Sequence, residues 1–284
     1  KKTFMSVGGS KKKYEFGVLT SFAYKLENSD DEIVVATTRP ETMLGDTAVC
    51  VHPDDERYKK YHGKFVIHPF NNRKIPIITD SILVDPKFGT GAVKITPAHD
   101  PSDFECGKRH KLKFINIFND DGTLNKQGYP FENKNRLDVR ELVIKGLEEK
   151  GLFRGKKDHK YSIAICSRSK DVIEPLIKPQ WYCDCKELAK RSVQAVDDGK
   201  LKITPNFHIS VWKRWLGDIR EWCISRQLWW GHRIPAYLIH VKGKPKPDDL
   251  DENNWVVARN EKEALKIACK RFEKKEEEIT LKQD

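Results

Sequence analysis

The sequence predicts an α+β fold, a β-barrel-like domain of short strands with peripheral helices, followed by a helical, aromatic-rich segment. Three observations predict it. Short runs rich in β-branched residues recur between turn signals from Phe16 to Phe118. Few stretches carry both a helix start and a helix stop. All seven tryptophans (Trp181, Trp212, Trp215, Trp222, Trp229, Trp230 and Trp255) lie in the second half. The expected divisions are a flexible lead-in at 1–14, the barrel-like domain at 15–160, an aromatic-rich connection at 161–245 and a charged C-terminal segment at 246–284.

Taken in order, Glu32–Thr38 and Asp46–Val51 read as strands, the first ending before Pro40. Pro53–Tyr61 reads as a short helix, acidic first and basic last, stopped by Gly63. Strands are expected at Phe65–His68, Ile75–Ile78 and Ile82–Val84. Gly89-Thr90-Gly91 then turns the chain into a strand at Ala92–Thr96, with Lys94 and Thr96 on one face and Val93 and Ile95 on the other. Pro97 ends it. Asp100, Pro101 and Asp103 open a helix as N-cap, first position and first-turn acid. Phe114–Phe118 is a further strand before the Asp121-Gly122 turn. Asp138–Lys150 is the clearest helix, with Asp138 and Glu141 at capping-box spacing and Gly151 as its stop. Trp212–Leu228 has helical spacing, and Asn260–Glu278 reads as a charged helix opened by Asn260 and Glu263. So many aromatics beside a modest core indicate a surface that packs on something else.

Of 284 residues, 33 % are charged and the net charge is +11, which is compatible with a polyanionic partner. No apolar run approaches the ~20 residues of a membrane span. The start of the sequence does not read as a signal peptide, and the absent initiator methionine suggests a piece of a longer chain. An odd seven cysteines favours a reducing compartment, with the cytoplasm as default. Cys166-Ser167-Arg168-Ser169 followed by Cys183-Asp184-Cys185 resembles a zinc knuckle, but Ser169 stands where the second ligand belongs, so no metal is expected. No phosphate-binding Gly-x-x-x-x-Gly-Lys loop and no Gly-x-Ser-x-Gly elbow occur.

The junction from Phe88 to Glu105 concentrates polar chemistry. Asp100 and Asp103 are explained as helix-start residues on spacing alone, and Lys94 and Thr96 as a solvated strand face. The other reading is a pocket for a small polar substrate, with His99 available as a base.

Ala36-Thr37-Thr38-Arg39-Pro40-Glu41-Thr42, then Gly89-Thr90-Gly91-Ala92-Val93-Lys94-Ile95-Thr96-Pro97-Ala98-His99-Asp100, resembles the editing (CP1) domain of class I aminoacyl-tRNA synthetases for branched aliphatic amino acids. Within that family the motifs are closest to the valyl-tRNA synthetases, as is Cys223-Ile224-Ser225-Arg226-Gln227-Leu228-Trp229-Trp230-Gly231-His232-Arg233-Ile234-Pro235. The resemblance covers most of residues 15–240. It implies post-transfer editing by hydrolysis of threonyl-tRNA(Val), with 161–245 as the return toward a catalytic domain. Asp103 would hold the substrate ammonium, and Lys94 and Thr96 would hold substrate and terminal adenosine. Arg39 and Phe88 would line the pocket, with Thr38, Thr42 and Asp100 as candidates for sensing the threonine hydroxyl. The implied partners are the acceptor end of tRNA(Val) and the catalytic domain of the same enzyme, with no membrane. The His-Ile-Gly-His and Lys-Met-Ser-Lys-Ser signatures are not in this sequence, so ATP belongs to the parent ligase site and editing needs no cofactor. The alternative is a tRNA-binding insertion that has lost hydrolysis.

Overall fold

Alternation in the stretches rich in Val, Ile and Phe becomes a curved sheet because most of these strands have an apolar face to bury. A computed structural model describes residues 2–228 and 230–284; Lys1 and Trp229, the latter within the third motif, lie outside the described residues. The chain forms two compact units, Lys1–Ile177 and Lys178–Asp284.

In the first unit, β1 (Thr3–Ser6) and β2 (Lys13–Phe16) pair as an antiparallel hairpin. The main sheet is built from β3 (Val18–Leu26), β4 (Glu32–Thr37), β5 (Ala48–Val51), β6 (Phe65–Ile67), β7 (Lys74–Thr79), β8 (Ala92–Ile95) and β9 (Phe153–Asp158). Its order is β4-β3-β6-β7-β5-β8, and β9 joins β3 as a branch. Pairing is antiparallel except between β5 and β7. The end strands β4 and β8 pack together, so six strands form a nearly closed barrel. Phe22, Tyr24, Ile33, Val35, Val49, Val51, Val66 and Ile75 fill its interior. Outside it lie α1 (Pro101–Arg109) and α2 (Arg136–Glu149), while a 3-10 turn at Pro40–Gly45 joins β4 to β5 and is buried throughout.

Several expectations are corrected. Residues 1–14 hold β1 and part of β2, and the hairpin buries Val7, Tyr14 and Phe16 against Leu137. Pro53–Tyr61 is turns plus a 3-10 turn at Lys59–Tyr61, because His52 and Asp55 side chains accept from the backbone of Asp54 and Arg57 and compete with helix. Ile82–Val84 is a turn for a similar reason: Asp80 accepts from the amides of Ile82 and Leu83. Among the described residues, Phe114–Phe118 has no strand partner beyond a single bridge from Phe118 to Leu124 around the expected Asp121-Gly122 turn. The cap of α2 is Asn135, not Asp138; Asn135 Oδ1 accepts from the Leu137 amide, while Asp138 pairs with Lys12 at 2.7 Å.

The second unit contains β10 (Tyr182–Cys183), α3 (Lys186–Asp197), α4 (His208–Gly217), β11 (Trp222–Cys223), β12 (Ala236–Val241), β13 (Trp255–Val257), α5 (Glu261–Phe272) and β14 (Ile279–Gln283). The helix expected over Trp212–Leu228 stops at Gly217, and Trp222 pairs in the β10–β11 ladder instead. The Asn260 cap holds, but α5 ends at Phe272 where Glu273 turns left-handed. Ala264 and Ala268 of α5 pack on a β13-β12-β14 sheet that the sequence reading missed. The aromatic surface is present: Trp215, Trp222 and Trp230 are 73, 65 and 80 % exposed.

Replacing Asn135 by alanine removes a cap and should destabilise the first unit by ~1 kcal/mol. Asp138→Ala, losing a partly exposed surface pair, should cost clearly less. Urea unfolding followed by amide exchange in α2 compares them directly, and equal losses would return the cap to Asp138.

Candidate active site

The site begins with a carboxylate that no sequence pattern marks. Asp46 follows the buried 3-10 turn and is fully buried itself. Its Oδ2 accepts from the Tyr24 hydroxyl of β3 at 2.7 Å. Its Oδ1 accepts from the Thr96 hydroxyl and from Lys94 Nζ at 3.2 Å. Desolvation raises the Asp46 carboxyl above its ordinary range, against the pull of Lys94, Thr96 and Tyr24. Lys94 and Thr96 share a face, as their i, i+2 spacing on the β8 path requires. That face is buried, however, not solvated: Lys94 is 7 % and Thr96 1 % exposed. Lys94 also donates to the hydroxyls of Thr42, at 3.0 Å, and Thr96, so all three ammonium hydrogens are engaged inside the protein.

Thr96 links this cluster to the helix start. Its backbone N–H donates to Asp103 Oδ2 at 2.8 Å. Asp100 is the N-cap of α1, accepting from Ser102 at 2.8 Å and Asp103 at 3.1 Å, and it is exposed. The two aspartates therefore differ. Asp100 caps, whereas Asp103 is buried and bonded across to the end of β8. Desolvation pushes the Asp103 carboxyl up to about 7; Asp100 and Asp46 add to the rise, while Lys94 and the Thr96 amide oppose it.

Arg39 sits at one side. Its guanidinium donates to the His99 carbonyl at 2.8 Å and to the Glu174 carboxylate. Glu41, fully buried, accepts two bonds of 2.8 Å from Arg140 of α2. Thr42 donates to the Arg39 carbonyl at 3.0 Å and accepts from Lys94, so its hydroxyl is occupied on both sides. His99 is buried, and Nε2 accepts from the Ile117 amide at 3.1 Å. Desolvation first, then Arg39, lowers its pKa to about 3, so the ring is neutral at neutral pH. The structure thus brings together Lys94, Thr96, Thr42, Asp103 and Asp100, with Arg39 attached through His99. Phe88 is apart, 65 % exposed with its ring against His159, and Thr38 lines a cavity of about 250 Å³ with Phe4, Tyr14 and Leu137. Asp46, Tyr24, Glu41, Arg140 and Glu174 were missed. Only Glu41 carried a signal, since it lies inside the first motif.

Among the described residues, one group has ligand atoms close enough for a metal: Asp80, Cys106 and His110, within 4.8 Å of one another. Arg109 donates twice to Asp80 Oδ2, at 2.6 and 3.0 Å, which places a positive charge where a cation would bind. At the broken knuckle, hydrogen bonds from Ser169 and nearby backbone lower the half-buried Cys166 thiol to about 7.

Two buried histidines give the first unit an acid limit. His68, bonded to the Met43 carbonyl at 2.9 Å, is pushed by burial to about 3, as is His99. The unfolded chain takes up these protons near pH 6.5 while the folded chain does not, so stability falls as pH drops below that value. At about pH 5 each histidine accounts for at most ~2 kcal/mol. Asp103 acts oppositely, because the folded state holds its proton up to about 7. Urea melts across this range should show a shallower acid loss for His68→Gln and a steeper one for Asp103→Asn. Unchanged slopes would contradict the burial of these groups.

Residues 78–284 match the family described as tRNA synthetases class I (I, L, M and V). Over its whole length the chain is 53 % identical to a mitochondrial valine–tRNA ligase of Arabidopsis thaliana, covering 26 % of that protein. It is 55 % identical over 99 % of its length to valine–tRNA ligase of Caenorhabditis elegans, covering 27 %. A solved LeuRS–tRNA–LeuAMS ternary complex from Agrobacterium radiobacter K84 aligns with 56 % of this chain and 24 % of that one, at 20 % identity and a TM-score of 0.41. The chain thus spans about a quarter of the length of the curated relatives it matches. The valine-type wording of its three motifs agrees with the names of those relatives, and the match over residues 78–284 settles the wider group: this chain belongs to the class I tRNA synthetases of the I, L, M and V type.

Proposed function

We propose that this chain is the editing region of a valine–tRNA ligase and hydrolyses the ester joining threonine to the terminal adenosine of tRNA(Val). An apolar site for valine cannot strongly reject threonine, which merely adds a hydroxyl; these ligases are the established case of that limit. A second site that hydrogen-bonds the hydroxyl discriminates in the opposite sense, because valine leaves its polar groups unpaired.

The observation that carries the reading is the state of Asp103. Its carboxylate is buried, is pushed up to about 7, and receives one backbone bond on Oδ2. An α-ammonium beside it would restore the charged form and form a charge-assisted bond. Asp100, exposed beyond its capping role, is the better candidate for the threonine hydroxyl, since Thr42 is buried and its one proton is already given to the Arg39 carbonyl. Phe88 offers an exposed ring for stacking the terminal adenine. Lys94 and Thr96 act from behind, by holding the shape around Asp103. A positioned water attacks the ester carbonyl, aided by a ribose hydroxyl of the tRNA. The exposed tryptophans of the second unit suit docking on the ligase's catalytic domain, and seven free thiols suit the cytoplasm. No helix is long and apolar enough to cross a membrane, among the described residues.

The chain should release threonine from threonyl-tRNA(Val) and spare valyl-tRNA(Val) in a single-turnover assay. Equal rates on both esters, or none on either, would remove the assignment. Asp103→Asn keeps an acceptor for the Thr96 amide but loses the charge, so the fold should persist while deacylation drops at least about tenfold. A well-folded Asp103→Asn chain with nearly full activity would sink the ammonium-binding role.

A further inference from the structure

We infer that Asp46, backed by Tyr24, is a positioning residue of the hydrolytic site, acting through Lys94 and Thr96 on the Asp103 carboxylate. The inference rests on the editing reading and extends it to two residues outside the substrate's reach. Burying a carboxylate completely is costly unless both of its oxygens find donors. Asp46 meets that condition with donors from two strands: Tyr24 of β3, and Lys94 and Thr96 on the β8 path. Its own backbone is pinned as well, since Arg73 donates to the Asp46 carbonyl at 2.7 Å and the Asp46 amide donates to Met43.

The geometry is more specific than an ion pair that fills the core. Thr96 is held by Asp46 through its hydroxyl and holds Asp103 through its amide, so one residue couples the two carboxylates. Lys94 reaches from Asp46 to Thr42 of the buried turn and lies close enough to influence Asp103. Moving Asp46 therefore moves the hydroxyl, the ammonium and the amide that together set where Asp103 stands. Orientation errors of about 1 Å at such a site cost large factors in rate. Tyr24 has no other assigned polar role; its ring packs edge-on against Phe22 while its hydroxyl fixes Asp46.

The test uses the full chain with threonyl-tRNA(Val), comparing the wild type with five variants. Asp46→Asn keeps size and an acceptor for Lys94 and Thr96. It should slow single-turnover deacylation at least tenfold at a temperature where melts show it folded. Tyr24→Phe, with its ring retained, should slow it several-fold. Acting through Asp103 predicts coupling, so Asp46→Asn should cost much less when added to Asp103→Asn than when added to the wild type. Asp80→Asn, a buried carboxylate bonded to Arg109 and His110 instead, should lower the melt yet leave the rate per folded molecule near wild type. Equal cost of Asp46→Asn in both backgrounds, or a loss that merely tracks the unfolded fraction, overturns the inference. Were the wild type inactive, the editing reading would fall, and NMR titration of the Asp103 carboxyl would then decide this one. Asp46→Asn should move that titration to lower pH; an unmoved titration overturns it.

Discussion

A turn that runs through the interior must have its polar groups answered from every side, and Pro40–Gly45 imposes that demand on the first unit. Glu41 is answered by Arg140 of α2, and Thr42 by Lys94 of β8. The carbonyl of Met43 receives His68, and those of Leu44 and Asp46 receive Arg73. Each partner comes from a different part of the chain, so the turn is the place where helix, strands and loops are tied into one object. The same demand explains why a histidine held neutral by burial and a fully buried aspartate are tolerated there. They are the complements of backbone and side chains that water cannot reach.

The chemistry grows from this arrangement. A site that binds a charged substrate needs an anion whose charge is poorly compensated before the substrate arrives. Asp103 has that character because β8 and α1 bring it out of water while giving Oδ2 one amide. Asp100, three residues earlier, stays exposed. Two aspartates in one helix turn thus receive opposite environments, one set by capping and the other by a cross-strand bond.

Much of this was legible in the residues. The β3-to-β8 strands follow β-branched runs, and the Asp100-Pro101 start of α1 follows from side-chain chemistry that acts within four residues. What failed shares a cause. Pro53–Tyr61 and Ile82–Val84 looked regular, but Asp55 and Asp80 bond their own local backbone and hold turns. Asp138 was read as a cap because it sits at capping-box spacing, while Asn135 three residues earlier does the work through Leu137. Lysine- and glycine-rich residues 1–14 hide a hairpin whose apolar contacts lie on distant Leu137. Within the site, Lys94, Thr96 and Asp103 were readable because they lie on one strand–helix junction. Asp46 and Glu174 were not: a single carboxylate has no period, and Glu174 reaches Arg39 from 135 residues away.

The branch made by β9 has a consequence for the chain's birth on the ribosome. β9 closes onto the edge of β3, and the Lys156–Glu15 bond beside it spans 141 residues. At ordinary rates of synthesis, β3 emerges on the order of ten seconds before the strand that covers it. Through that interval its N-terminal half offers an unpaired edge to any extended segment nearby. Pairing with β4, which follows β3 almost at once, occupies only the opposite edge, so the side that β9 later covers stays open until β9 has been made.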